Sequence, residues 1–518
     1  MTWQKEIDEL KRRQQLGKQM GGPERIAKQH SKGRLTIRER IELLLDGGTF
    51  QEIGSLVGNA EYDGEGELKS FTHAPQVMGY GKLNGKPVTV AGGDMTAFRG
   101  GDVQLMGQFY FWVEKMSLEW RIPTIRLLDA FGASVSEVEA RGRTVCPGNP
   151  DDFALQIGLL GRVPVVAAAL GSLGGGLPVI AAMSHFSVMT KNTSEGFVGG
   201  PPLVKQALGT SITKEELGGY KVHACQSGVI DNAAEDEADA FRQIKLFLSY
   251  MPQNVWQQPP RVETGDDPNR RDEELLTIIP RERRKPYDIR RLINHIVDKD
   301  SVFEFSPLYG RSLITLLVRM DGYPVAIISN DCKWDGGAQT PATCEKMIRF
   351  CDLADTFHLP IIYLVDCPGF MVGLEAEKGG IERKSARLAA VLKQLTVPGI
   401  TVVLRRCYGI AGNLTVTSRL GLRYAWPSGN WGRIPLEGGV LAAYRNEIET
   451  ASDPQAKRIE IERRLEHYRS PFRTAESFGV EEIIDPRDTR PLLCEFVRRA
   501  QEVTASQLGI KYRLAIRP

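Results

Sequence analysis

The 518-residue chain carries no excess of either charge. Sixty-six Lys and Arg stand against 64 Asp and Glu, a formal net charge of +2. The uniform basic field of a nucleic-acid binder is therefore excluded, and the run Arg281–Lys285 (Arg-Glu-Arg-Arg-Lys) reads as a solvated face. The eight Cys form no CxxC pair, which excludes a zinc ribbon and argues against a disulfide frame. No HExxH occurs, the seven His are scattered, and no set of metal ligands stands out. A GxSxG nucleophile elbow is lacking too, since Gly132-Ala133-Ser134-Val135-Ser136 misses the second glycine. The opening residues have no apolar core of a secretory signal, so the expected compartment is the cytoplasm, or the mitochondrial matrix in a eukaryote. Neither a nucleic-acid nor a membrane partner is expected.

What the chain does have is an ordinary globular balance, 42% hydrophobic and 25% charged, at a length that calls for more than one core. Val163–Met189 contains no charged residue, long enough to span a bilayer, but Pro164, Gly171, Gly174–Gly176 and Pro178 interrupt it. A buried strand, a glycine turn and a buried helix fit it better.

The strongest signal is internal repetition. Leu83-Asn84-Gly85-Lys86-Pro87-Val88 resembles Met320-Asp321-Gly322-Tyr323-Pro324-Val325, an offset of 237 residues. The same offset carries Asp94 to Asp331, Pro123 to Pro360, Asp129 to Asp366 and Gly132 to Gly369. Pro123–Leu128 and Pro360–Val365 read as buried strands. Helical patterns precede them at Val103–Glu119 and Thr343–Phe357, and another follows at Ile381–Leu395. Strand–helix–strand alternation predicts α/β halves built on parallel sheets. The Pro- and Gln-rich stretch after Met251 marks a boundary, giving domains at 1–255 and 286–518 with a linker at 256–285. Residues 1–48 read as a charged helical arm and Ala456–Tyr468 as a solvated helix.

Leu170-Gly171-Ser172-Leu173-Gly174-Gly175-Gly176-Leu177-Pro178 is the sharpest local motif. Consecutive glycines between an apolar strand and an apolar helix expose backbone N–H groups suited to an anion or a developing oxyanion. A tight packing turn fits the segment equally well. No Lys-Ser/Thr follows, so it is not a P-loop. Tyr408-Gly409-Ile410-Ala411-Gly412 is the equivalent turn of the second half. Asp129 and Asp366 sit at strand ends, where a turn-capping role is the commoner one. Cys367 and Cys407 have nothing beside them in sequence to activate a thiolate.

Further landmarks run in order along both halves: Phe197–Pro201 (Phe-Val-Gly-Gly-Pro), Glu216–Gly219 with His223 and Ser227-Gly228, Asp366–Phe370 (Asp-Cys-Pro-Gly-Phe), Gly380–Arg383, Tyr408-Gly409 and Ala425–Pro427. With Gly33–Arg40 at the start, this series resembles the carboxyltransferase (beta) subunits of biotin-dependent acyl-CoA carboxylases, the propionyl-CoA and 3-methylcrotonyl-CoA carboxylase family. The resemblance implies two tandem crotonase-like (β-β-α superhelix) domains in a hexamer. The N-terminal half would hold acyl-CoA and the C-terminal half carboxybiotin. No Met-Lys-Met segment is present, so the biotin is expected on a partner, the biotin carboxylase and biotin carboxyl carrier (alpha) subunit.

By matched position, the resemblance assigns the N–H groups of Gly175 and Gly176 to the thioester oxygen and those of Ile410 and Ala411 to the biotin oxygen. Ala130, Phe131, Gly132, Ala133, Gly174, Gly409, Gly412 and Asn413 line the substrate sites. Three departures bear on the acyl group. Ile410 replaces a glycine common in propionyl-CoA enzymes, and Asn413 stands where those carry an acid. Asp129-Ala130-Phe131-Gly132-Ala133-Ser134 stands where the family has Asp-Ser-Gly-Gly-Ala-Arg, which leads us to expect an unusual acyl group or a narrowed pocket. A decarboxylase or transcarboxylase running the same chemistry backward, and a non-catalytic assembly paralogue, are the alternatives.

Overall fold

The computed structural model describes residues 2–97, 109, 111–131, 139, 142–144, 153–282, 284–415 and 422–512. The chain divides into two compact units, Met1–Gln257 and Gln258–Pro518. Unit 1 holds β1 (Gln51–Ile53), β2 (Gly58–Tyr62), β3 (Leu68–His73), β4 (Gln76–Leu83), β5 (Lys86–Gly93), β6 (Thr124–Ala130), β7 (Val165–Gly174), β8 (Phe186–Thr190), β9 (Glu195–Phe197) and β10 (Asn232–Ala234). Unit 2 holds β11 (Phe303–Phe305), β12 (Leu313–Met320), β13 (Tyr323–Asn330), β14 (Ile361–Cys367), β15 (Gly399–Tyr408), β16 (Arg423–Ala425), β17 (Asn430–Gly432) and β18 (Glu482–Ile483). Their sheets share one topology: β1-β4-β5-β6-β7-β8-β10 with β9 on β7, and β11-β12-β13-β14-β15-β16-β18 with β17 on β15.

The expected α/β halves are there, but the sheets are not wholly parallel. The first three strands of each pair antiparallel, and pairing turns parallel only from β5–β6 and β13–β14 onward. Turn chemistry explains it. Asn84-Gly85 and Asp321-Gly322 all sit at positive φ, closing two-residue hairpins between Leu83 and Lys86 and between Met320 and Tyr323. A carboxylate clamps each turn: Asp46 accepts from the Asn84 and Gly85 amides, Asp298 from those of Asp321 and Gly322.

Asp46 and Asp298 are 252 residues apart, not 237. The difference is the extra hairpin β2–β3, a two-stranded sheet that unit 1 inserts between β1 and β4. Upstream of it the repeat runs at 252. Helix Ile37–Leu44 matches helix Ile289–Ile296, and the bidentate pair Arg38–Glu52 matches Arg290–Glu304. Both helices bury residues at i, i+3, i+4 and i+7. In unit 2 these are Ile289, Leu292, Ile293 and Ile296; in unit 1 they are Ile37, Arg40, Ile41 and Leu44.

Alternate residues of strands buried on both faces join the same unit 2 core, with Ile314, Leu316 and Val318 from β12, Ile362 and Leu364 from β14, and Ile400, Val402 and Leu404 from β15. Every residue of β7 is buried, and Val163–Met189 folds as β7, helix Leu177–Ala182 and the start of β8. Among the described residues no helix is long and apolar enough to cross a membrane. From Gln258 onward the segment read as a linker packs within unit 2. Leu275 enters its core, and Gln258 donates to the Gln501 carbonyl at 2.9 Å.

Candidate functional site

In unit 1, β6 and β7 lie side by side with Ala130 paired to Leu173, so Ala130 and Phe131 sit beside the glycine turn. Gly175 adopts φ +67°, a left-handed conformation that favours glycine, and Gly176 follows at φ −76° as the cap of helix Leu177–Ala182. Gly174 is buried, Gly175 half-buried and Gly176 exposed, and a side chain at Gly176 would meet nothing within 4 Å. Among the described residues the turn is therefore open where a side chain at Gly176 would project. Gly132 and Ala133 lie outside the described residues, as does Ser134.

A polar cluster flanks this turn. Ser172 donates to Glu195 at 2.7 Å, and Lys214 donates to the Ser172 hydroxyl at 3.2 Å. The Lys214 ammonium lies 5.1 Å from the Phe131 ring centroid, a cation–π contact. Arg34 reaches Glu195 at 3.7 Å. Burial, then the nearby Glu195 charge, raises the Glu215 carboxyl. His223 Nε2 pairs with the Gly196 carbonyl at 2.7 Å. The paired glycines of Glu216–Gly219 are needed because a Cβ at Gly218 would stand 1.9 Å from that same carbonyl oxygen.

Unit 2 repeats the arrangement 234 residues on. β14 and β15 pair Cys367 with Cys407, Gly409 adopts φ +62°, and helix Gly409–Asn413 begins there. Ile410 is 69% exposed and Asn413 exposed, whereas Ala411 and Gly412 are buried. At Gly412 a Cβ would lie 2.9 Å from the Cys407 carbonyl carbon, so this glycine is fixed by packing. Burial pushes the Cys367 thiol up to about 12 and the Cys407 thiol to about 11, which leaves neither a nucleophile near neutral pH.

The two strand-end aspartates are ion-pair anchors, not turn caps. Asp129 accepts from Arg40 Nη1 at 3.0 Å and Gln29 at 3.1 Å, and Arg40 also holds Glu237 at 2.8 Å. Asp366 accepts from Arg405 Nη2 at 2.8 Å and Arg406 Nε at 2.7 Å. Burial alone would raise the Asp366 carboxyl, but Arg406 and then Arg405 hold it below the usual carboxylate range. Arg40, Arg405, Arg406 and Lys214 carry no local motif. Their only sequence signal is a charge interrupting an apolar pattern, at Arg40 within helix Ile37–Leu44 and at Arg405-Arg406 near the end of a buried strand.

Comparison with known proteins gives a consistent result. The carboxyl transferase domain model matches residues 28–509. The carboxyltransferase subunit of propionyl-CoA carboxylase from Haloferax mediterranei is 35% identical over 99% of both chains. Methylmalonyl-CoA decarboxylase subunit alpha from Veillonella parvula is 32% identical over 95% of this chain and 94% of that one. A crystal structure of transcarboxylase 12S, a hexamer with methylmalonyl-coenzyme A and methylmalonic acid bound, superposes with a TM-score of 0.87 at 31% identity, covering 100% of this chain and 98% of that one.

Proposed function

The chain belongs to the carboxyl transferase domain family, as an acyl-CoA carboxyltransferase with two crotonase-like domains, and from that premise we propose that its two glycine turns are paired oxyanion holes. In this reading the protein moves a carboxyl group between biotin on a separate carrier and the α (or vinylogous) carbon of an acyl-CoA. The observation that carries it is the duplication of one turn: Gly175 at φ +67° after β7 and Gly409 at φ +62° after β15, each opening a short helix.

Removing the α-proton of a thioester places charge on the thioester oxygen, and the N–H groups of Gly175 and Gly176 stabilise it there. When bound, biotin supplies the carboxyl group from its ureido nitrogen. The second turn suits such a neutral ring: Tyr408–Asn413 bears no formal charge and Ile410 leaves one side accessible. The amides of Ile410 and Ala411 stabilise the ureido oxygen. Neither hole requires a protein nucleophile, which accords with thiols raised by burial. Phe131, with Lys214 over its face, narrows the acyl side and biases the choice of acyl group. A biotin-bearing alpha subunit and a hexamer of this chain complete the assembly.

Gly176→Pro tests the first hole. Proline adopts the native φ of −76° and removes the N–H, and its Cβ meets nothing within 4 Å. With the biotinylated carrier present, turnover falls by about 10²–10³ while the unfolding temperature holds. Gly176→Ala, which keeps the N–H, stays near wild type. Full turnover by Gly176→Pro sinks the proposal. A panel of acyl-CoAs in the same assay identifies the substrate. The decarboxylase relative favours one second reading, the reverse transfer, which the same assay scores by CO2 release from a carboxylated acyl-CoA.

A further inference from the structure

Unit 2 contains a cavity of about 720 Å³ with five arginines on its wall: Arg281, Arg284, Arg405, Arg406 and Arg469. Tyr408 lines it but neither Gly409 nor Ile410 does, so it adjoins the second glycine turn without including the amides of Ile410 and Ala411. Among the described residues the one carboxylate on its wall is that of Glu466, which pairs with Arg469 at 3.1 Å. Behind the wall, Asp366 is shared by Arg405 and Arg406. That leaves an excess of three positive charges converging on one concavity.

The arginines divide into two kinds. Arg405 and Arg406 are held by Asp366, and Arg406 also donates through Nη2 to the Gly336 carbonyl at 2.8 Å, so its guanidinium is fixed with Nη1 still unpartnered among the described residues. Arg281 and Arg284 are exposed and meet no carboxylate among the described residues. Gathering like charges costs Coulomb energy that an isolated solvated arginine avoids. A multiply charged anion reverses that sign, and anchored guanidinium forks beside unpaired ones suit a phosphoryl group, which takes two N–H donors from one guanidinium. The lining also has an apolar part, with Leu275, Leu276 and Ile279 and the prolines at 427, 435 and 471.

We infer that this cavity is a binding site for a phosphorylated small molecule, a di- or polyanion with an apolar or planar body, beside the second glycine turn and not built from its amides. Titration calorimetry on the full chain tests it with pyrophosphate, ADP and citrate against wild type and the Arg281→Ala/Arg284→Ala double variant. Pyrophosphate is expected to bind wild type and to lose about tenfold or more in the double variant. ADP binding tighter than pyrophosphate identifies a nucleotide as the source, and no tighter identifies free phosphate; either supports a phosphoryl site. Equal affinity in wild type and double variant, no pyrophosphate binding at millimolar concentration, or preference for citrate overturns it. Both replaced side chains are exposed, and an unchanged unfolding temperature in the double variant shows that the loss is not unfolding.

Discussion

The two units place a buried aspartate at the same point of the same strand and neutralise it by opposite means. In unit 1 the cation comes from the core face of a helix, where Arg40 is 1% exposed between Asp129 and Glu237. Unit 2 puts Leu292 at that helix position and takes its cations from β15, where Arg405 and Arg406 occupy the strand positions that Gly171 and Ser172 hold in β7. The exchange is forced by space. A Cβ on Gly171 would lie 1.9 Å from an Asp129 oxygen, so unit 1 has no room for a side chain where unit 2 carries an arginine. A duplicated fold has kept the charge and moved its partner, and in the half that has it on the strand those arginines line a cavity.

The sharpest way to break that comparison is to remove one cation from each half. Arg40→Leu leaves two carboxylates, Asp129 and Glu237, buried without their arginine, and is expected to cost about 3–5 kcal/mol. Arg405→Leu leaves Asp366 still held by Arg406 and is expected to cost clearly less. Chemical denaturation of the two variants checks the order. Equal losses would mean that Arg406 does not share the load.

Much of this was written in the sequence and some of it was not. The hairpins at Asn84-Gly85 and Asp321-Gly322 and the strands ending at Asp129 and Asp366 follow from local chemistry. So do the turns at Gly175 and Gly409, which need a residue tolerant of positive φ. What escaped depends on distance along the chain. Arg40 meets Asp129 across 89 residues and Glu237 across 197, and no local pattern encodes either pairing. The inserted hairpin β2–β3 shifts the repeat from 237 to 252 residues, which hid the Arg38/Arg290 and Asp46/Asp298 equivalences from a search at one offset. Arg281–Lys285 reads as a solvated run, yet the fold turns Arg281 and Arg284 onto a cavity wall.

Acid offers a second, smaller discriminator. The Asp366 carboxyl is held below its unfolded value, so its contribution is fully present above the unfolded pKa of about 3.9 and is lost as pH falls through the lower folded value. The stability difference between wild type and Asp366→Asn is therefore constant from pH 7 down to about 5 and closes below about 4. A gap that persists unchanged well below pH 4 would show that the ionised carboxylate is not the source of the difference.

The smallest expected effect lies in the pair of matched forks. Arg38 grips Glu52 through Nη1 and Nη2 at 2.8 and 2.9 Å, and Arg290 grips Glu304 through Nε and Nη2. Lysine keeps the charge in either place and loses the bidentate geometry. Arg290 has a further task, because its Nη1 reaches the fully buried Asp331 at 2.7 Å. The matching aspartate of unit 1, Asp94, is served by the Thr96 amide and hydroxyl at 2.9 and 2.6 Å. Arg38→Lys is thus expected to cost under about 1 kcal/mol and Arg290→Lys about 1–2 kcal/mol more, because only the second takes a donor from a buried carboxylate. Thermal unfolding of both variants, with Asp331→Asn combined with each, separates the two terms. If the excess cost of Arg290→Lys survives in the Asp331→Asn background, the buried aspartate is not its source.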